Sequence, residues 1–105
     1  LTVVLNLGII IAMPIKSFKC RDTEKLFSGR RVARFVHIEL VAMRKLAVLN
    51  RVLVVTELHI PPSNRLEALK GDRKGFWSIR VNDQWRICFR FANGDASDVE
   101  IVDYH

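Results

Sequence analysis

Residues 77–91 read WSIRVNDQWRICFRF, and the parity of this stretch decides the fold. Trp77, Ile79 and Val81 alternate with Ser78, Arg80 and Asn82. Trp85, Ile87, Phe89 and Phe91 alternate with Arg86, Cys88 and Arg90. Successive side chains of a strand point to opposite faces, so each run predicts a strand with one face buried. Asn82-Asp83 has the look of a two-residue hairpin turn. That turn would pair Val81 with Gln84 and Ile79 with Arg86, setting apolar residues against polar ones. A loop spanning Asn82 to Gln84 instead pairs Val81 with Trp85 and Ile79 with Ile87, and puts Arg80 opposite Arg86 on the other face. A bulge would do the same. Parity at Asn93-Gly94 likewise predicts a three-residue loop, Asn93 to Asp95, pairing Phe89 with Val99 and Ile87 with Ile101. The last strand then runs from Ser97 to Tyr104, and Tyr104 shares the face of Arg80 and Arg86.

Toward the N-terminus the period changes. Pro61-Pro62-Ser63-Asn64 is a loop by composition. Arg51 to His59, RVLVVTELH, suits a strand as well as a helix. Arg30 to Asn50 carries one long helical pattern, with Phe35, Ile38, Ala42, Leu46 and Leu49 recurring at three- and four-residue steps. Arg34, Arg44, Lys45 and Arg51 give it a basic side, and Asn50 can end it. Asp22 can cap a short helix to Ser28, with Leu26 and Phe27 inward, that Gly29 breaks. Pro14 to Lys19, PIKSFK, is a short strand candidate. Helices followed by a meander predict an α+β fold, a small antiparallel β-sheet backed by N-terminal helices. No repeat or linker divides it. Residues 1–12, LTVVLNLGIIIA, carry no charge. They are too short to span a bilayer, which takes about 20 apolar residues, and lack the basic flank of a secretory signal. The expectation is a non-native apolar extension over 1–12, a start at Met13 and a single domain over 13–105, with an extra apolar strand as the alternative.

The chain has 105 residues, half of them hydrophobic, which suffices for one compact core and leaves no room for a second catalytic domain. Seventeen Lys and Arg against eleven Asp and Glu give a net charge of +6. Such a balance points to a polyanionic partner: nucleic acid, an acidic protein or a membrane surface. Cys20 and Cys88 have no paired spacing, which argues against a disulfide scaffold and for a reducing cytoplasm. No Cys/His cluster has zinc-ligand spacing and no Gly-rich phosphate loop occurs, so neither metal nor cofactor is expected.

The polar sheet face carries Arg80, Arg86, Arg90 and, at the chain end, Tyr104. Lys70, Arg73 and Lys74 sit in the turn before it. This basic patch with aromatic edges suits a phosphate backbone and a stacked base; a solvated strand face is the competing reading. Asp103, Tyr104 and His105 close the chain. Histidine titrates near neutrality, and beside a phosphate site it can move a proton to or from a sugar hydroxyl or a leaving oxygen. Arg86 and Lys70 can stabilise charge on a phosphoryl group. These are the parts needed to cleave RNA by its own 2′-hydroxyl without a metal, although terminal residues often fray. His37 reads as a surface histidine and His59 has no evident partner. Cys88 shares the basic face, which can lower a thiol pKa, but a free strand cysteine is more often inert. Trp77 and Trp85 read as core, and Phe76, beside Gly75, as exposed.

The stretch PPSNRLEALKGDRKGFWSIRVNDQWRICFRF with DASDVEIVDYH closely resembles the HigB-like toxins of bacterial toxin–antitoxin systems, in the RelE/ParE superfamily. The resemblance runs from Met13 to His105, and MPIKSFKCRDTEKLF looks like the family's opening strand and helix. It implies a cytoplasmic, ribosome-dependent endoribonuclease that cuts translated messenger. It also implies a HigA-type helix-turn-helix antitoxin as partner, the 70S ribosome and mRNA as targets, and operator DNA bound through the toxin–antitoxin pair, with no membrane involved. Asp103, Tyr104 and His105 match the family's terminal motif, and Lys70 and Arg86 its basic positions. Arg73, Arg80 and Lys74 are then the expected RNA-binding residues. Where some members have a catalytic histidine, this chain has Glu67, a carboxylate that could act as a base, hold Lys70 or His105 by an ion pair, or be structural. Asn50 to Ile60 is more Val-rich than in relatives, which usually have a glycine near Ser63. Two other functions remain open on this scaffold. One is a non-enzymatic ParE-like inhibitor of DNA gyrase; the other is an inactive relic that keeps only antitoxin contact.

Overall fold

A computed structural model describes residues 2–4, 10–12 and 15–104; Met13 and His105 lie outside these. In chain order the elements are β1 (Thr2–Val4), β2 (Ile10–Ala12), α1 (Arg21–Phe27), α2 (Glu39–Leu49), β3 (Glu67–Ala68), β4 (Phe76–Arg80), β5 (Trp85–Ala92) and β6 (Asp95–Asp103). Strands β3 to β6 form one antiparallel sheet in sequential order, while β1 and β2 pair only with each other. Both helices precede the sheet, so the α+β arrangement expected from the sequence is the one observed.

The β4–β5 hairpin has the register that parity demands. Ile79 faces Ile87, Arg80 faces Arg86 and Trp77 faces Phe89. The loop closes where the Val81 amide donates to the Trp85 carbonyl at 2.9 Å. Inside it, Asn82 Oδ1 accepts from the Gln84 and Trp85 amides at 2.9 and 2.8 Å, an Asx turn that stiffens the longer loop. The β5–β6 hairpin corrects the second expectation. Its turn is the two-residue Asn93-Gly94, with Ala92 opposite Asp95. Both turn residues have positive φ, 53° and 79°, as a type I′ turn requires. Parity is restored farther along by a bulge at Asp98, also left-handed at φ 50°, so that Ile87 still faces Ile101. The bulge is held by Ser17 Oγ, which accepts the Asp98 amide at 2.9 Å, and by Arg90, whose Nε is 3.5 Å from the Asp98 carboxylate.

Segment 15–19 runs parallel to β6, with Ile15 bridged to Ala96 and Phe18 to Val99. The cap of helix α1 lies two residues earlier than the expected Asp22. Cys20 is its N-cap, and Asp22 lies in the first turn, where a carboxylate favours the positive helix end and meets Arg34 Nε at 3.0 Å. The long helix expected over 30–50 is broken. Val32 is extended, a 3-10 turn covers Ala33–Phe35, and α2 starts only after Ile38. Spacing explains the break: Val32, Phe35 and Ile38 recur every three residues, the period of a 3-10 helix, whereas Ile38, Ala42, Leu46 and Leu49 follow the α-helical period. All of the apolar positions expected from the pattern are nonetheless buried. The ambiguous segment after Asn50 is neither strand nor α-helix but a 3-10 turn, Val55–His59. Glu57 fixes it by accepting the amides of Leu53 and Val54 at 2.7 and 3.0 Å.

The helices pack on one face of the sheet. Leu26, Phe35, Ala42, Leu46, Leu49 and Leu58 meet Ile79, Ile87, Phe89, Val99 and Ile101 in a single core. Phe35 sets its ring edge-on to Trp85 at 5.4 Å; Trp85 and Trp77, expected in the core, are partly buried and pack against it. Among the described residues no α-helix packs on the other face of β4 to β6. Among the described residues no helix is long and apolar enough to cross a membrane.

Candidate active site

Three rows cross the helix-free face; the first is Phe76, Arg90 and Ser97, at the end away from Tyr104, and the other two form the candidate site. Of these two, one is Glu67, Ser78, Cys88 and Glu100; the next is Arg80, Arg86 and Val102. Tyr104 follows Val102 on the same face.

Arg86 is the centre of this face and is only 9% exposed. A buried guanidinium is costly unless its donors are satisfied. Here Nε donates to Ser78 Oγ at 2.8 Å, and Nη2 donates to the Arg65 carbonyl at 2.6 Å and to the Ser78 carbonyl at 3.4 Å. The Arg65 carbonyl is presented by a left-handed residue, φ 46°, that ends the 3-10 turn Pro62–Asn64. The guanidinium lies 5.6 Å from the centre of the Tyr104 ring, within cation–π range. Glu67 Oε1 is 4.0 Å from Nη2, so the carboxylate in place of a histidine stands beside Arg86.

Two groups at this centre, Tyr104 and Cys88, are pushed toward their neutral forms. Burial raises the Tyr104 phenol above its ordinary 10.0, with the neighbouring Cys88 adding to it; a hydrogen bond with Ser78 and the charge of Arg86 act the other way. Tyr104 is therefore a phenol at neutral pH, fit to donate a proton or stack. Burial also raises the Cys88 thiol above 9.0, outweighing the cations Arg73 and Arg86. The basic face thus fails to activate Cys88. Arg73 reaches in from the 3-10 turn Gly71–Arg73 and sits 3.8 Å from Glu100.

The structure brings together Arg86, Tyr104, Glu67 and Arg73. It sets others apart. Lys70 and Lys74 flank the Gly71–Arg73 turn and are exposed. Arg80, although opposite Arg86, pairs with Asp83 in the hairpin loop. Asp103 faces Trp85 in the row that alternates away from Arg86, and Gln84 Nε2 donates to it at 3.1 Å. His105 lies outside the described residues. Phe76 is buried rather than exposed, because Arg90 at 4.4 Å and Lys19 at 5.5 Å cover its ring. Sequence reasoning did not single out Ser78 or the Arg65 carbonyl. Parity already placed Ser78 one row from Arg86; nothing local marks the carbonyl. Among the described residues no cluster of His, Cys, Asp or Glu is arranged to hold a metal ion.

Comparison with known proteins gives this face its context. The fold is shared with a mutant of YafQ from E. coli, whose crystal structure superposes with a TM-score of 0.55 at 19% identity, covering 86% of this chain and 91% of that one. The chain is 38% identical over 81 residues to Toxin HigB-1 of Vibrio cholerae, spanning 75% of this chain and 85% of the relative. It is 56% identical over 41 residues to Endoribonuclease HigB of Proteus vulgaris, spanning 39% of this chain and 45% of that protein. The family of RelE-like HigB toxins of type II toxin–antitoxin systems matches residues 16–105, and the chain belongs to that family.

Proposed function

We propose that this toxin is an endoribonuclease that cuts translated messenger RNA on the ribosome, in the cytoplasm, and is silenced by a HigA-type antitoxin whose complex with the toxin binds operator DNA. Family membership and the relative named as an endoribonuclease support RNA cleavage. The observation that carries the reading on this chain is Arg86: a nearly buried cation anchored by Ser78 and Arg65, beside the Tyr104 phenol. Preorganised charge of this kind suits a reaction that builds negative charge on a phosphoryl group.

The proposed chemistry needs no bound cofactor. The 2′-oxygen of the RNA forms a bond to the adjacent phosphorus, the P–O5′ bond breaks, and a 2′,3′-cyclic phosphate and a 5′-hydroxyl result. Arg86 stabilises the pentavalent centre from the sheet, and Lys70, exposed beside the Gly71–Arg73 turn, reaches toward it from the flank. His105 protonates the leaving O5′ or receives the 2′ proton. Where His105 is the acid, Glu67, beside Arg86, serves as the base that takes the 2′ proton. Asp103 orients His105 or the RNA, and Tyr104 positions a base or the phosphate. Arg73, Lys74 and Arg80 hold flanking phosphates, with Arg73 nearest the centre and Arg80 sharing its charge with Asp83.

Primer extension on a reporter messenger after induction tests this. New 5′ ends are expected within the translated region. They should vanish in His105→Ala and when translation initiation is blocked. Intact messenger with growth arrest and DNA breaks would assign the chain to gyrase poisoning instead. Intact messenger, normal growth and confirmed expression would make it an inactive relic.

A further inference from the structure

Behind the candidate active face, α2 and residues 61–65 enclose a groove of about 270 Å³. Its floor is apolar, formed by Val41, Val48, Pro61 and Ile79, and Arg44 and Lys45 stand on its rim. Ile79 alternates with Ser78 along β4, so the groove and Arg86 occupy opposite sides of the sheet.

The rim carries positive charge in excess. Lys45 donates to the side-chain carbonyl of Asn64, a neutral acceptor, and Asn64 is itself locked by its amide bonds to the Leu58 and Ile60 carbonyls at 3.1 and 3.3 Å. Arg44 Nε reaches the carbonyl of Leu40 at 3.4 Å. Among the described residues neither Arg44 nor Lys45 is within ion-pair distance of a carboxylate. Burial first, and then the charges of Arg80 and Arg44, lower the Lys45 pKa below 10.5, so a carboxylate on the rim would meet positive charge that no acid of the chain compensates among the described residues. One turn away, Leu40 is 77% exposed and extends the apolar surface. The volume falls below the range of about 300–1,000 Å³ typical of small-molecule sites. It fits an anchoring side chain or two of a protein partner.

We propose that this groove docks an acidic, apolar segment of the antitoxin, with an aliphatic side chain seated on Val41, Val48 and Pro61 above the buried Ile79 and a flanking carboxylate on Lys45 and Arg44. Charge complementarity selects the segment, and family membership supplies the partner. The inference does not depend on the nuclease reading, because the groove lies behind the proposed RNA face.

Calorimetric titration of the full chain with its purified cognate antitoxin tests it. Lys45→Glu should weaken binding by about tenfold or more. Arg30→Glu, the same charge change on an exposed turn beyond α1, should stay within about twofold of the parent. Melting curves establish that each variant is folded. Should Lys45→Glu not fold, methyl NMR of the unmodified chain decides: the resonances of Val41, Val48 and Ile79 should shift as antitoxin is added. A folded Lys45→Glu that binds as tightly as the parent overturns the proposal. So do unshifted methyls in a formed complex.

Discussion

Ser78→Ala separates the anchoring of Arg86 from its mere presence. Ser78 is fully buried, and its hydroxyl accepts the Arg86 Nε at 2.8 Å. The substitution removes that acceptor while leaving the Arg65 and Ser78 carbonyls in place. A hydrogen bond to a charged group contributes about 1.5–3 kcal/mol, and the buried Nε–H is left without a partner. At roughly 4–5 °C per kcal/mol for a domain of this size, Tm should fall by about 6–15 °C. The guanidinium then pivots about its remaining Nη2 bonds. Misplacement of a catalytic group by an ångström costs up to about 100-fold in rate, so cleavage should drop about ten- to 100-fold. The assay is single-turnover cleavage of messenger on programmed ribosomes, run well below the variant's Tm so that unfolded protein does not contribute. A variant with the parent's Tm and rate would refute the claim that Ser78 holds Arg86. A lowered Tm with an unchanged rate would leave the bond structural and remove Arg86 preorganisation from the mechanism.

Three further outcomes follow from burial and charge. Raised folded pKa values for Cys88 and Tyr104 contribute stability that is present below their unfolded values, 9.0 and 10.0, and lost as pH rises through the folded ones. Lys45, lowered from 10.5, acts with the opposite sign. Urea midpoints should therefore decline from about pH 9 upward, Cys88→Ala should flatten the first part of that decline, and at neutral pH a thiol reagent should modify Cys20 alone; rapid labelling of Cys88 would contradict the burial argument. Glu57, lowered from 4.5 by the Val54 and Leu53 amides, contributes stability above pH 4.5 that is lost as pH falls through its folded value, so Glu57→Gln should lack part of the parent's acid sensitivity, and parallel acid curves would count against it. Phe35→Ala empties a fully buried site and should cost about 3–5 kcal/mol, a large share of the roughly 5–15 kcal/mol available to a domain; a urea titration followed by tryptophan fluorescence in a Trp77→Phe background, where Trp85 alone emits, reads both the loss and the missing edge contact.

What the sequence revealed and what it withheld divide along one physical line. Parity is a global constraint: a slip of one residue turns every side chain of a strand over, so the Ile79–Ile87 and Ile87–Ile101 pairings were legible from alternation alone. At Asn93-Gly94 two signals conflicted, since the dipeptide favours a two-residue turn and the alternation a three-residue one. The fold satisfies both by placing the extra residue at Asp98, where contacts with Ser17 and Arg90, distant in sequence or across the sheet, stabilise it. The broken helix was encoded in the three-residue step from Val32 to Ile38, which an amphipathic α-helix tolerates nearly as well as a 3-10 turn. The site divides in the same way. Alternation placed Arg86, Arg80 and Tyr104 on one face, but a face does not fix where a long side chain sends its charge. Arg80 has a carboxylate three residues on and turns to it. Arg86 has a buried hydroxyl one row away and a carbonyl from residue 65, and is held between them. Buried acceptors, which belong to tertiary structure, make one arginine a fixed electrostatic element and leave its neighbour a loop ion pair.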